Sequence, residues 1–245
     1  IISGLFFFIS WPPTFSFFAL FIFFAFVPLF LIEKGLYRNN KSVFWIFPYA
    51  YLAFSLFNFL TTFWVEKASP DFGEGLFAVL CNSLFMTITF LLYCIIHRWV
   101  FKYFSKNYFR IKFVGLFLIS IFWISFELLH MTWDLNWPWL TLGNVFADQP
   151  SWIQWYSYTG VLGGTIWVLV LNYMFFQTYL NFPFKNKLKL KNHLLILSLF
   201  FIPFLLSQLM YYNFIKDGEE VNVLVAQPNI DPHKTKQYIS QNYLS

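Results

Sequence analysis

The segment HMTWDLNWPWLTLGNVFADQPSWIQWY, residues 130–156, separates two long apolar runs and holds five tryptophans, two prolines, two aspartates and one glycine. Pro138, Gly143 and Pro150 interrupt it too often for a helix that crosses a bilayer. It is also too aromatic for an ordinary linker. Trp and Tyr concentrate where lipid meets water, because an apolar ring and a polar N–H or O–H each find a suitable medium there. The segment is expected to form a loop lying on, and partly in, one face of a membrane, held by the helices on either side.

Working outward, the 245-residue chain is 59% hydrophobic, 25% aromatic and only 11% charged, with a mean hydropathy of +0.59. Soluble domains carry about 25% charged residues, so this is an integral membrane protein. The net charge of +5 comes from basic residues in short stretches between apolar runs. That placement signals membrane topology, and no nucleic-acid partner is expected. Ile1 opens inside an apolar run and residues 241–245 stop in a polar one, so the chain is expected to be a fragment of a longer protein. Cys81 and Cys94 fall in one predicted helix, about 20 Å apart at 1.5 Å per residue, which is beyond disulfide reach.

Runs of about 20 apolar residues cross hydrocarbon. About seven transmembrane helices are expected, near 1–10, 14–32, 43–64, 75–96, 111–131, 152–180 and 193–214, making residues 1–215 a helical membrane domain. Trp11-Pro12-Pro13 is expected to be a tight turn. The loops after the second, fourth and sixth spans are basic, through Lys34, Arg38 and Lys41, then Arg98, Lys102, Lys106 and Arg110, then Lys185, Lys187, Lys189 and Lys191. Those after the third and fifth are acidic, through Glu66, Asp71 and Glu74, then Asp134 and Asp148. Lys and Arg are retained in the cytoplasm. All five loops thus place the N-terminus inside, and the tryptophan loop and everything after the last span outside. Residues 221–227, VNVLVAQ, read as a short β-strand, and residues 238–244 could begin a helix. A lone strand has no stable core, so an extramembrane domain is expected to begin near residue 219 and to be truncated at 245.

Glu127 lies near the outer end of the fifth span, with His130 three residues on and on the same helix face. A carboxylate at that depth is costly unless paired, hydrated or interfacial. It is either a buried polar group that shapes a headgroup site or orients the loop, or an interfacial Glu satisfied by loop backbone. Trp137-Pro138-Trp139 fixes two rings on a stiff segment, and Gly143-Asn144 then turns sharply. These rings either anchor the loop or wall a lipid-entry groove, with Trp64 at the same depth. The four histidines sit in four different segments, so no metal site or cofactor is expected. No Gly-rich phosphate loop and no Ser–His–Asp set appears.

The order of parts resembles bacterial apolipoprotein N-acyltransferase. The residues that carry the likeness are 137–144, WPWLTLGN, with Glu127 upstream, Asp148-Gln149-Pro150 and Gly160-Val161 downstream, VLVAQPN at 223–229, Ser10-Trp11-Pro12-Pro13, and Trp64. Trp137 stands where that family more often has Phe. The resemblance implies an α-helical polytopic membrane protein followed by the start of an α/β nitrilase-like (carbon–nitrogen hydrolase) domain at 219–245. It implies an enzyme of the bacterial inner membrane whose partners are membrane lipids, a phospholipid acyl donor and diacylglyceryl-modified lipoproteins. It assigns Trp139, Trp137, Trp64 and Glu127 to a lipid groove. The family's Glu–Lys–Cys triad falls beyond residue 245, so no catalytic residue is expected in this chain and the isolated fragment is expected to be inactive. Two other classes fit the composition. A transporter or channel would need polar residues along a path, or broken helices at matched positions in two halves. A structural assembly protein would use the aromatic loop to dock a partner.

Overall fold

The computed structural model describes residues 1–12, 16–68, 73–104, 108–180, 188–214 and 221–227, without the side chains of 16, 67–68, 104, 108–112 and 188–192. Sequence expectations for the rest of the Trp-Pro-Pro turn, for Asp71, Lys106, Lys185 and Lys187, and for residues 228–245 lie outside the described residues. The helices are α1 (Ile2–Ser10), α2 (Val27–Arg38), α3 (Ile46–Thr62), α4 (Trp64–Ala68), α5 (Glu74–Phe104), α6 (Tyr108–Thr132), α7 (Tyr156–Leu180) and α8 (Leu188–Tyr212). A 3-10 helix, Ser16–Phe24, precedes α2.

Among the described residues, six segments are long and apolar enough to cross a membrane: Phe17–Arg38, Val43–Thr62, Glu74–Tyr103, Phe113–Thr132, Tyr156–Leu180 and His193–Tyr212. The chain is a polytopic membrane protein. Residues 1–10, expected to be the end of a first span, form the nine-residue α1, about 14 Å long, and are not one of these six. The helices also outrun their apolar windows. Glu33 and Lys34, expected in a loop, are in α2, and α5 continues through Arg98 and Lys102. Charged residues are good helix formers, so a helix does not stop where hydropathy does.

The expected strand is corrected. Residues 221–227 carry no regular structure, and Val221, Val223, Leu224 and Val225 are almost fully exposed. A strand exists only by pairing, and the described residues offer it no neighbour.

In lipid the helices gain nothing by hiding apolar surface from water, so their association rests on packing and hydrogen bonds. Phenylalanine supplies the packing. Phe26 meets Phe7 and Trp123 edge-on, at 4.9 and 4.8 Å between ring centroids. Phe54, Phe57 and Phe90 complete a fully buried aromatic core.

Hydrogen bonds repair one break in that core. Between Phe24 and Val27 the chain changes from 3-10 to α-helix, which leaves backbone groups unpaired. Asn172 of α7 reaches across. Its Oδ1 accepts from the Phe26 N–H at 2.8 Å, and its Nδ2 donates to the Ile22 carbonyl at 2.8 Å.

Contacts at the two ends of α5 fix the polarity of the bundle. At its start, the Glu66 carboxylate accepts from the Gly73 and Leu76 amides at 2.7 and 2.8 Å, capping the helix. At its other end Arg98 pairs with Glu33 and donates to the Lys41 carbonyl at 2.7 Å. Lys34, Arg38, Lys41, Arg98 and Lys102 therefore gather at one end of the helices, and Trp64 and the tryptophan loop at the other.

Candidate lipid-facing site around the tryptophan loop

The loop between α6 and α7 is a chain of 3-10 turns: Pro138–Leu140, Leu142–Phe146 and Pro150–Trp152. Pro138 and Pro150 each open a turn, where the missing N–H has no partner to lose. The loop, expected to lie on and partly in one face of a membrane, packs its middle residues into protein. Leu140, Thr141, Leu142, Gly143, Val145 and Phe146 are buried. Irregular backbone at such depth is tolerated only where protein satisfies it.

Glu127 supplies that satisfaction. It is 2% exposed. Its Oε1 accepts from the Leu142 amide at 2.8 Å and from Trp123 Nε1 at 3.0 Å. Its Oε2 accepts from Thr165 Oγ1 at 2.6 Å. The Thr165 hydroxyl in turn accepts from the Gly143 amide at 3.2 Å, and Tyr156 donates to the Gly143 carbonyl at 3.0 Å. One carboxylate thus ties α6, the loop and α7 together. Glu127 is buried rather than interfacial, and it is met by one loop amide and by side chains of α6 and α7.

Gly143 is needed by contact. A Cβ there would lie 2.1 Å from the Val161 carbonyl oxygen, a backbone atom that cannot swing away. Gly160 adopts φ 65° and kinks α7 one turn after its start, a conformation that glycine adopts without strain. The sixth span, expected to be continuous from 152, is therefore a 3-10 turn, a short helical turn and a kink before its long straight part.

The tryptophans form a corner. Trp139, 49% exposed, stands edge-on to Trp137 at 5.3 Å and to Trp64 at 5.7 Å, and Trp64 is 44% exposed. Trp137 is half-buried, and its amide donates to the His130 carbonyl at 3.1 Å. Behind the corner lies a cavity of about 10 Å³ bordered by Asn82, Glu127, His130, Trp137 and Thr141. It has room for one water at most, not for an acyl chain. His130 Nδ1 and Trp137 Nε1 are buried beside it without a hydrogen-bond partner among the described residues. His130 Nε2 meets Asn82 Oδ1 at 2.8 Å, and Asn82 Nδ2 donates to Asn58 Oδ1 at 2.5 Å, so His130 ends a polar ladder from α3 through α5. Sequence reading missed Thr165, Asn82, Asn58 and Tyr156. The only signal available was a polar residue inside an apolar run.

No three of His, Cys, Asp or Glu come together as metal ligands among the described residues. Cys81 and Cys94 lie on α5 as free thiols, Cys94 buried.

Residues 3–174 match the family described as the apolipoprotein N-acyltransferase N-terminal domain, well over half of the chain. The chain belongs to that family. The matched segment of this apolipoprotein N-acyltransferase domain holds Trp64, Glu127, the whole tryptophan loop and Thr165. The chain is also 29% identical over 193 residues, 77% of its length, to a protein named apolipoprotein N-acyltransferase from Chlorobaculum tepidum. It spans about a third (33%) of that relative's length. No solved structure matches it.

Proposed function

We propose that this chain is the membrane-embedded part of an enzyme that N-acylates the diacylglyceryl-cysteine at the N-terminus of bacterial lipoproteins, with a phospholipid as acyl donor. The observation that carries this reading is the family match over residues 3–174. The exposed corner of Trp64, Trp137 and Trp139 supports it, because aromatic rings at the edge of a bundle suit an acyl chain on one side and a headgroup on the other. In this reading the three rings wall a lipid groove, and Glu127 positions the loop that bears two of them.

The chemistry belongs to a nitrilase-like domain that begins near residue 219. Its Glu takes the proton of the Cys thiol, the thiolate attacks the phospholipid ester carbonyl, the acyl C–O bond breaks, and lysophospholipid leaves with that proton. The lipoprotein amine then attacks the thioester, the thiolate departs, and the domain's Glu takes the amine proton while its Lys stabilises the oxyanion. The enzyme sits in the bacterial inner membrane. The basic ends of α2 and α5 face the cytoplasm, and the tryptophan loop and the chain after α8 face outward.

The test is acyl transfer from phospholipid to a diacylglyceryl-cysteine peptide. The product of the whole gene is expected to transfer, and residues 1–245 alone are not. Trp139→Ala in the whole product should lower transfer per folded molecule by about tenfold, the worth of one ring-packing contact. Unchanged transfer in that variant would reduce Trp139 to an anchor. Product from the 245-residue chain alone would overturn the division of labour, and none from the whole product would overturn the acyltransferase reading.

A further inference from the structure

The end of the bundle opposite the tryptophan corner holds a second built feature. A cleft of about 50 Å³ opens between α2 and α5, lined by Glu33, Lys34, Tyr37, His97, Arg98 and Phe101 among others. Its ionic half is tightly arranged. Arg98 Nε and one terminal nitrogen donate to the two oxygens of Glu33, at 2.6 and 3.0 Å. The other terminal nitrogen reaches the Lys41 carbonyl, and the guanidinium carbon lies 5.5 Å from the Tyr37 ring centroid. Glu33 is buried and its charge is met by Arg98.

Lys34 is different. Its ammonium lies over the Phe101 ring at 5.7 Å, and among the described residues it has no carboxylate partner. The cleft therefore carries one positive charge in excess, and two of the five guanidinium N–H bonds of Arg98 have no protein acceptor among the described residues. A cation–π contact stabilises an ammonium less than an ion pair with a desolvated anion does.

We propose that this cleft holds the phosphate of an anionic phospholipid. The charge asks for an anion, and the volume fits a phosphate group rather than a whole sugar headgroup, since one water needs roughly 10–15 Å³. The aromatic floor of Phe101 and Tyr37 accepts the first carbons of a glycerol backbone, and the cleft opens at the helix ends, where headgroups lie. Basic pockets between membrane helices recognise anionic headgroups in this way. A zwitterionic lipid would bring its own cation against Lys34 and Arg98. This site is separate from the tryptophan corner and does not depend on the acyltransferase reading.

Native mass spectrometry of the 245-residue chain, supplied with equal phosphatidylglycerol and phosphatidylcholine, tests the proposal. The chain should retain phosphatidylglycerol several-fold over phosphatidylcholine. Lys34→Gln should lower that ratio about fivefold, the worth of one lysine near an anionic headgroup, while Lys34→Arg should keep it. Lys102→Gln, which removes an equal charge from an exposed position outside the cleft, should leave it unchanged. Loss of the preference in both Lys34 variants, loss in neither, or an equal loss in Lys102→Gln would overturn the site. Displacement of the lipid by millimolar inorganic phosphate would reassign it to the free anion.

Discussion

Replacing Glu127 by Ala should destabilise the protein by about 3–5 kcal/mol, because it leaves three buried donors without an acceptor at roughly 1–3 kcal/mol each. They are the Leu142 amide, Trp123 Nε1 and the Thr165 hydroxyl. The loss should fall first on the loop, since α6 and α7 each keep their own backbone ladders. Glu127→Gln separates the contributions. Its amide oxygen can still accept from Leu142 and Trp123, as Oε1 does now. Its NH₂ then faces Thr165, whose oxygen can accept while its hydrogen loses a partner. That variant should cost about 1–2 kcal/mol. Unfolding in mild detergent, followed by tryptophan fluorescence, measures both. Equal midpoints for wild type, Glu127→Gln and Glu127→Ala would show that the carboxylate does not hold the loop.

Asn172→Leu should cost about 1–3 kcal/mol although the side chains are similar in size. It strands the Phe26 N–H in a core without water to replace the lost partner, and it leaves the Ile22 carbonyl with the Ala25 amide alone, at 3.2 Å. Asn172→Asp should be no better. Its carboxylate can still accept from Phe26, but it sets a second oxygen against the Ile22 carbonyl. The same unfolding assay reads the loss, and hydrogen exchange at the Phe26 amide locates it. A Leu variant as stable as wild type, with Phe26 still protected, would mean that the break needs no repair from α7.

The same two residues mark what could be read from the sequence. Composition and the lengths of apolar runs lead directly to a polytopic helical protein, because the bilayer imposes both. The tryptophan loop announced itself by its prolines and rings, and Trp64, placed by sequence at the depth of Trp139, stands 5.7 Å from it. Glu127 drew attention as a carboxylate in an apolar helix, but its partner, the Leu142 amide, is a backbone group 15 residues away that no side-chain pattern announces. Hydropathy treated 14–32 as one continuous helix. Only Pro28, in the first turn of α2, hinted at a break, and its repair by Asn172 depends on tertiary contact. The depth of residues 140–146 was hidden because burial against protein and burial against lipid select the same apolar residues. The strand at 221–227 was inferred from β-branched alternation, which describes a surface suited to pairing but cannot supply the neighbour.

The tryptophan corner depends on one buried carboxylate that ties a broken loop to two helices. Amide hydrogen exchange at Leu142, in the wild-type chain and in Glu127→Ala, tests this most directly. Leu142 should exchange in the wild type as slowly as the helix core, and on the order of a hundredfold faster in the variant, while the amides of mid-α7 are unchanged. Fast exchange at Leu142 in the wild type, or the same slow exchange in both, would contradict it.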